Sequence, residues 1–258
     1  MLETERQLDW LAWFERWEQM LACYNPGRAQ RLHLMVSIPA LPNPGWPRIL
    51  DLGAGPGATS LTVLRHYPGA TVLAVEYDRL LVEMGQAVAA QRGLGDRLRY
   101  LAADLRDPDW WRAYESEFDL VVSATALHWL NAAHYGELCE RVFRVLRPGG
   151  WFMNCDHVAS LHDEVQVLYN RYRADRARRA FEALGADRWD DFWAALAAAL
   201  GTADLAALRG VEGLWEGSDD GIPKQAHLAA LERSGFELAE VYWQELGEAI
   251  IGGRRPRK

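Results

Sequence analysis

The stretch Ile49-Leu50-Asp51-Leu52-Gly53-Ala54-Gly55-Pro56-Gly57-Ala58-Thr59-Ser60 constrains this chain more than any other. A short apolar run carries an acid near its end, three glycines alternate with other residues, and a helix-compatible segment follows. The pattern predicts a buried strand, a tight turn and a helix start, the unit from which nucleotide-binding α/β sheets are built. Glycine supplies positive φ at such a turn and lets a ligand lie against the backbone where a Cβ would stand. The free amides of the turn and of the first helical turn form a donor cradle. Asp51, at the end of the strand, suits a ligand with a positive end, such as an ammonium, better than a bare pyrophosphate.

Further along, the same alternation repeats. Helix 58–66 stops at Pro68-Gly69, and 70–76 reads as a buried parallel strand ending in Glu76. Glu76 lies about 20 residues past the turn, the spacing of a carboxylate that accepts ribose hydroxyls. Helix 79–91 precedes strand 97–104, which ends in Asp104, an acid that can equally cap the turn 105–108. Strand 118–124 leads into Thr125-Ala126-Leu127-His128-Trp129-Leu130, helix 135–146 ends at Arg147-Pro148-Gly149-Gly150, and strand 151–154 follows that turn. Helices 163–184 and 187–200 break the alternation. Helix 223–234 and a hairpin of 236–246 with 248–252 return to the sheet. Ahead of all this, 4–23 reads as an amphipathic helix with Trp10, Trp13 and Trp17 on its apolar stripe, and 28–38 as a second helix. The stripe packs on the main body or closes over a bound substrate.

The run 49–60, with Glu76, Asp104 and Leu-Arg-Pro-Gly-Gly at 146–150, resembles the class I S-adenosylmethionine (SAM)-dependent methyltransferases, and is similar to their small-molecule branch, including trans-aconitate methyltransferase-like proteins, which carry a Gln/His-Trp pair after strand four. The resemblance implies a Rossmann-like, mostly parallel seven-stranded α/β sheet in the order 3-2-1-4-5-7-6 with flanking helices. It implies an N-terminal helical cap (1–45), a SAM-binding core (46–156 and 222–253) and a helical substrate lid (157–221). It places Asp51, Gly53, Ala54, Gly55, Gly57 and Tyr77 at the cofactor, Glu76 at its ribose, Asp104 and Leu105 at its adenine, and Ser123 and Ala124 beside its methionine part. S-adenosylhomocysteine is the expected product. His128 is the candidate general base, since histidine titrates in the useful range. Trp129, His157, Tyr24 and Arg173 are candidate acceptor contacts, Arg173 lying in a basic helix 171–179 whose other reading is a solvated face.

Composition narrows the alternatives. The net charge of −8 over 258 residues disfavours nucleic acid, and no Asn/Asp-Pro-Pro-Tyr/Phe motif follows strand four, so a tRNA substrate is a weaker reading. Three scattered cysteines fit neither a disulfide framework nor a metal site, and none is expected. The N-terminus does not read as a secretory signal and no apolar run is long enough to span a membrane, so a cytoplasmic monomer or homodimer is expected. The acceptor is expected to be a small molecule, carboxylated or aromatic. Gly53 to Ala58 also satisfies G-x-G-x-x-A of the nicotinamide-dependent oxidoreductases, a weak match alone. A SAM-binding regulatory protein without turnover is the remaining alternative, because cofactor motifs report binding. The basic tail 254–258 is expected to be disordered.

Overall fold

A computed structural model describes residues 8–211 and 216–258. Its centre is β1 (Arg48–Leu52), every residue of which except Arg48 is buried, because parallel strands covered by helices on both faces have no solvent side. From β1 the chain runs through α3 (Ala58–His66), β2 (Thr71–Glu76), α4 (Arg79–Gln91), β3 (Leu98–Ala102), β4 (Phe118–Ala124), α5 (Ala132–Val145) and β5 (Leu146–His157). It ends with α9 (Lys224–Arg233), β6 (Glu237–Glu245) and β7 (Glu248–Arg254). The seven strands lie in the order β3-β2-β1-β4-β5-β7-β6. The first five pair in parallel, and β7 runs antiparallel to both β5 and β6. This is the Rossmann-like sheet the sequence predicts.

Side chains alternate across that sheet, so Ile49 faces one apolar layer and Leu50 the other. The first layer also takes in α1 (Trp10–Tyr24), α2 (Arg28–Ser37) and part of α7 (Trp189–Leu200). Trp13 meets Phe192 edge-on, and Trp17 meets Trp193 in the same way. The tryptophan stripe therefore packs on the main body. Helix α1 begins at Trp10, where Asp9 caps it by accepting from the Ala12 N–H; the expected start near Thr4 lies outside the described residues. Likewise α7 begins at Trp189, two residues after Asp187, whose carboxylate pairs with Arg16 of α1.

Two expectations are corrected. The Arg147–Gly150 turn belongs to β5, which starts at Leu146, and the C-terminal tail is held in place. The two outcomes share one cause: Gly149 donates to the Arg255 carbonyl while Arg255 donates to Gly150, and the Arg255 guanidinium reaches the carbonyls of Phe143 and Leu146.

Between β5 and α9 come the long α6 (Asp163–Leu184), α7 and the short α8 (Leu205–Arg209). In α6 only Phe181 is buried, and Arg178 and Arg179 pair with acids of their own helix at i−3, i−4 and i+4. That side of the basic run is a solvated face. Among the described residues no helix is long and apolar enough to cross a membrane.

Candidate functional site

The carboxyl ends of the parallel strands open into a cavity of about 1160 Å³. Its floor is the glycine turn, where Gly53, Gly55 and Gly57 all adopt positive φ. A Cβ on Gly53 would collide with that of Ala126, which follows β4, so glycine there lets the two strand ends approach. The turn is tied down by Glu76. One oxygen of its carboxylate accepts the Gly55 N–H (2.8 Å), and the other accepts from Tyr77 and Asp78 (both 2.9 Å). Burial raises the Glu76 pKa, opposed by those N–H groups, and the Asp78 charge adds to the rise. Three of roughly four lone-pair sites are thus taken. A bidentate ribose grip requires one of these bonds to yield.

Asp51 is wholly buried beneath the turn. It accepts from the Ser60 hydroxyl (2.6 Å) through one oxygen, and the other oxygen has no partner. Burial pushes its pKa up to about 7, against the Ser60 bonds, with Glu76 adding to the rise. Asp104 lies two residues past the end of β3 and caps its own turn. It accepts the Arg106 N–H (2.8 Å), and the Arg106 guanidinium bonds both its oxygens before reaching on to Glu216. Burial works against ionisation there, and Arg106 outweighs it, leaving the Asp104 pKa lowered.

At the opposite wall, Thr125 turns the chain with φ of 51° and delivers a short 3-10 turn, Leu127–Trp129. His128 is 6% exposed, and its Nδ1 lies 2.7 Å from Asp156 Oδ1, while its backbone N–H donates to Oδ2 at 3.0 Å. Burial alone would raise Asp156, but His128 and His157 overcome it and hold the carboxyl at about 2. Nδ1 is thereby committed to Asp156, and Nε2 is the remaining nitrogen of a ring that lines the cavity. The His157 ring lies 4.9 Å from that of His128, and burial, with His128 beside it, lowers its pKa to about 4. Its nitrogens approach the Asp219 carbonyl (2.7 Å) and Asn25 (3.3 Å), joining the cap to the returning chain.

The cavity therefore brings together Tyr24, Gly53, Gly55, Glu76, Tyr77, Asp104, Leu105, His128, Trp129, His157 and Arg173. Asp51, Ala54, Gly57, Ser123 and Ala124 stand behind its wall, Ser123 spending its hydroxyl on the Leu52 carbonyl. Arg173 faces in but is engaged with Asp220 (2.8 Å). Tyr24 accepts from the Trp189 N–H. Sequence reasoning missed Asp156, although it is a fourth acid at a strand end. It also missed Trp189 and Arg209, which reach the site only through tertiary packing, whereas Trp17 belongs to the stripe read as packing or closing over a substrate. Among the described residues His128, Asp156 and His157 are close enough to share a metal ion, but both Asp156 oxygens already accept from protein donors.

Residues 49–150 match the family model described as "Methyltransferase domain". Residues 49–150 thus form a methyltransferase domain. It is 36% identical over 104 residues to a trans-aconitate 2-methyltransferase of Mycobacterium tuberculosis, covering 40% of this chain and 34% of that one. It is 24% identical over 151 residues to a malonyl-[acyl-carrier protein] O-methyltransferase of Paenibacillus, covering 56% and 52%. The chain thus spans a third to a half of these relatives. The methyltransferase domain also shares its fold with human N-acetylserotonin methyltransferase in complex with SAM, at a TM-score of 0.54 and 18% identity over 96% of this chain and 56% of that one.

Proposed function

We propose that the protein transfers a methyl group from SAM to a small-molecule acceptor, with His128 as general base. The observation that carries this reading is one cavity joining the glycine turn, Glu76 and Asp104 to the basic nitrogen of an aspartate-oriented histidine. Glycine and donor-bearing backbone at the turn, an unpartnered oxygen on the buried Asp51 beneath it, and acids at two strand ends suit a cationic nucleoside. The bound cofactor supplies an activated methyl group on a good leaving group, so the chain need not provide a nucleophile. What the chain does is orient, which is worth about 7–11 kcal/mol when reacting groups are held in line, exclude water, and take a proton at His128 Nε2. Residues 157–221 are the acceptor lid in this reading and 1–45 its cap, joined through Tyr24, Asn25 and His157.

A binding-only regulatory role has no use for a buried His128–Asp156 pair whose imidazole lines the cavity. Calorimetric titration with SAM, S-adenosylhomocysteine and NAD tests the cofactor: the two adenosyl ligands are expected to bind and NAD to be silent. Binding of NAD alone overturns the assignment.

A further inference from the structure

The cavity is large for one ligand, since single-ligand pockets span about 300–1,000 Å³. Besides the glycine turn and the strand-end acids, its lining includes Trp17, Leu21, Tyr24, Ala174, Ala177 and Trp189. The Trp17 and Trp189 rings sit 5.6 Å apart. Flat apolar walls of this kind select a flat apolar ligand.

Cations reach this cavity too, but they are occupied. Arg106 is held by Asp104 and Glu216, Arg173 by Asp220, Arg178 by Asp175 and Glu182, and Arg209 by Asp78. Arg209 additionally covers the Trp193 ring. Among the described residues only Arg188 of these five has no carboxylate, and it lies over Phe181 at the exposed rim. One spare cation at the mouth does not hold a polycarboxylate, which needs several free donors around it.

The His128–Asp156 pair points the same way. A carboxyl group ionises near pH 4 and meets the methyl donor already deprotonated, whereas a phenol ionises near about pH 10. A buried, aspartate-oriented imidazole is useful only to an acceptor that still carries its proton.

Resting on the methyltransferase reading above, we propose that the acceptor is a planar, multi-ring aromatic compound methylated on a hydroxyl group, bearing at most one anionic group directed at Arg188. The hydroxyl proton passes to Nε2 of His128. The acceptor oxygen bonds to the methyl carbon as the carbon–sulfur bond breaks, its electron pair staying on sulfur, and an ether and S-adenosylhomocysteine result. The imidazolium returns its proton to water. His128 is the catalytic residue, and Asp156, which acts through it, is a positioning residue.

The test is calorimetry on the intact protein, alone and with S-adenosylhomocysteine, using 2-naphthol, 2-naphthoate and trans-aconitate as probes, followed by transfer of labelled methyl from SAM. The expected result is binding of 2-naphthol at least about tenfold tighter than either carboxylate, a difference characteristic of a matched polar site in an apolar pocket, and an alkali-stable ether product. W189A, at a wall position, weakens naphthol about tenfold and leaves S-adenosylhomocysteine binding unchanged. H128Q lowers ether formation by about 10²–10⁴, the usual range for a general base, and D156N moves the acid limb of that reaction's pH profile downward, because the imidazole loses its neighbouring carboxylate, which a merely structural loss would not do. Equal or tighter binding of a carboxylate, no binding of naphthol, or an alkali-labile ester whose formation H128Q leaves intact overturns the proposal. Failure of the adenosyl ligand to bind refutes the cofactor reading instead, while the cofactor-free titrations still decide the acceptor class.

Discussion

Asp51 offers the sharpest perturbation. Its carboxyl is fully buried and moved from an ordinary 3.8 to about 7, burial being the largest cause. The native state therefore binds this proton more tightly than the unfolded chain does, and stability falls as pH rises between those two values. Below pH 3.8 Asp51 contributes nothing; above pH 7 the penalty is complete, at about 4 kcal/mol for the full displacement. Asp51→Asn removes the charge and keeps an oxygen for the Ser60 hydroxyl. Relative to the native protein, the variant gains about 1.5 kcal/mol at pH 5 and about 4 kcal/mol at pH 8, so the gap widens by about 2.5 kcal/mol. Denaturant unfolding of both proteins at the two pH values measures it, and a melting shift on the order of 10 °C is expected at pH 8. The same variant binds SAM more weakly, because a carboxylate held at a steep energetic disadvantage is retained for a cationic ligand. A gap that does not change with pH, or an Asp51→Asn protein less stable than its parent at pH 8, refutes the reasoning.

Three further outcomes follow from the same geometry. Glu76→Gln keeps the fold but loses the charge that gathers the Gly55, Tyr77 and Asp78 N–H groups, and calorimetry is expected to show SAM bound at least about tenfold more weakly, as for loss of a charged hydrogen-bond acceptor. Asp156 sits on the other side of the linkage. Its pKa is depressed to about 2, so it stabilises the native state above its unfolded value by about 2 kcal/mol, and that contribution is lost as pH falls through 2. Asp156→Asn should therefore flatten the acid limb of the stability curve, as followed by circular dichroism. Gly53→Ala places a methyl group against Ala126, which pushes the β1 and β4 ends apart; a folded variant with abolished SAM binding is expected, and unchanged binding would show that the approach is not needed.

How much of this was legible in the chain depends on the range of the interactions involved. Buried parallel strands are continuous apolar runs and the helices between them are amphipathic, so β1, β4, α3, α4 and α6 begin and end where local patterning puts them. The same holds for Gly53 and Gly55, whose conformation is a property of the turn. Local rules fail where a distant partner decides. Pro148-Gly149-Gly150 reads as a turn, yet it becomes strand because Arg255, over a hundred residues later, pairs with it. Asp104 carries the spacing of a ligand-binding acid, while Arg106 and Glu216 determine what its carboxylate meets.

The basic helix shows the limit most clearly. Its sequence offers a field of arginines that reads either as a solvated face or as a partner for an anionic substrate. In the folded protein Asp220, Glu245, Glu248, Asp175 and Glu182 answer those arginines from the returning chain, the terminal hairpin and the helix itself. Meanwhile Trp17, from the stripe read as packing or closing over a substrate, meets Trp189 at the cavity wall. An arginine whose charge is already matched keeps its aliphatic stem as apolar lining. Pairing thus turns a basic surface into a largely apolar pocket, and in the proposed reading the acceptor meets aromatic walls, the Arg188 guanidinium, which has no carboxylate among the described residues, and the His128 ring.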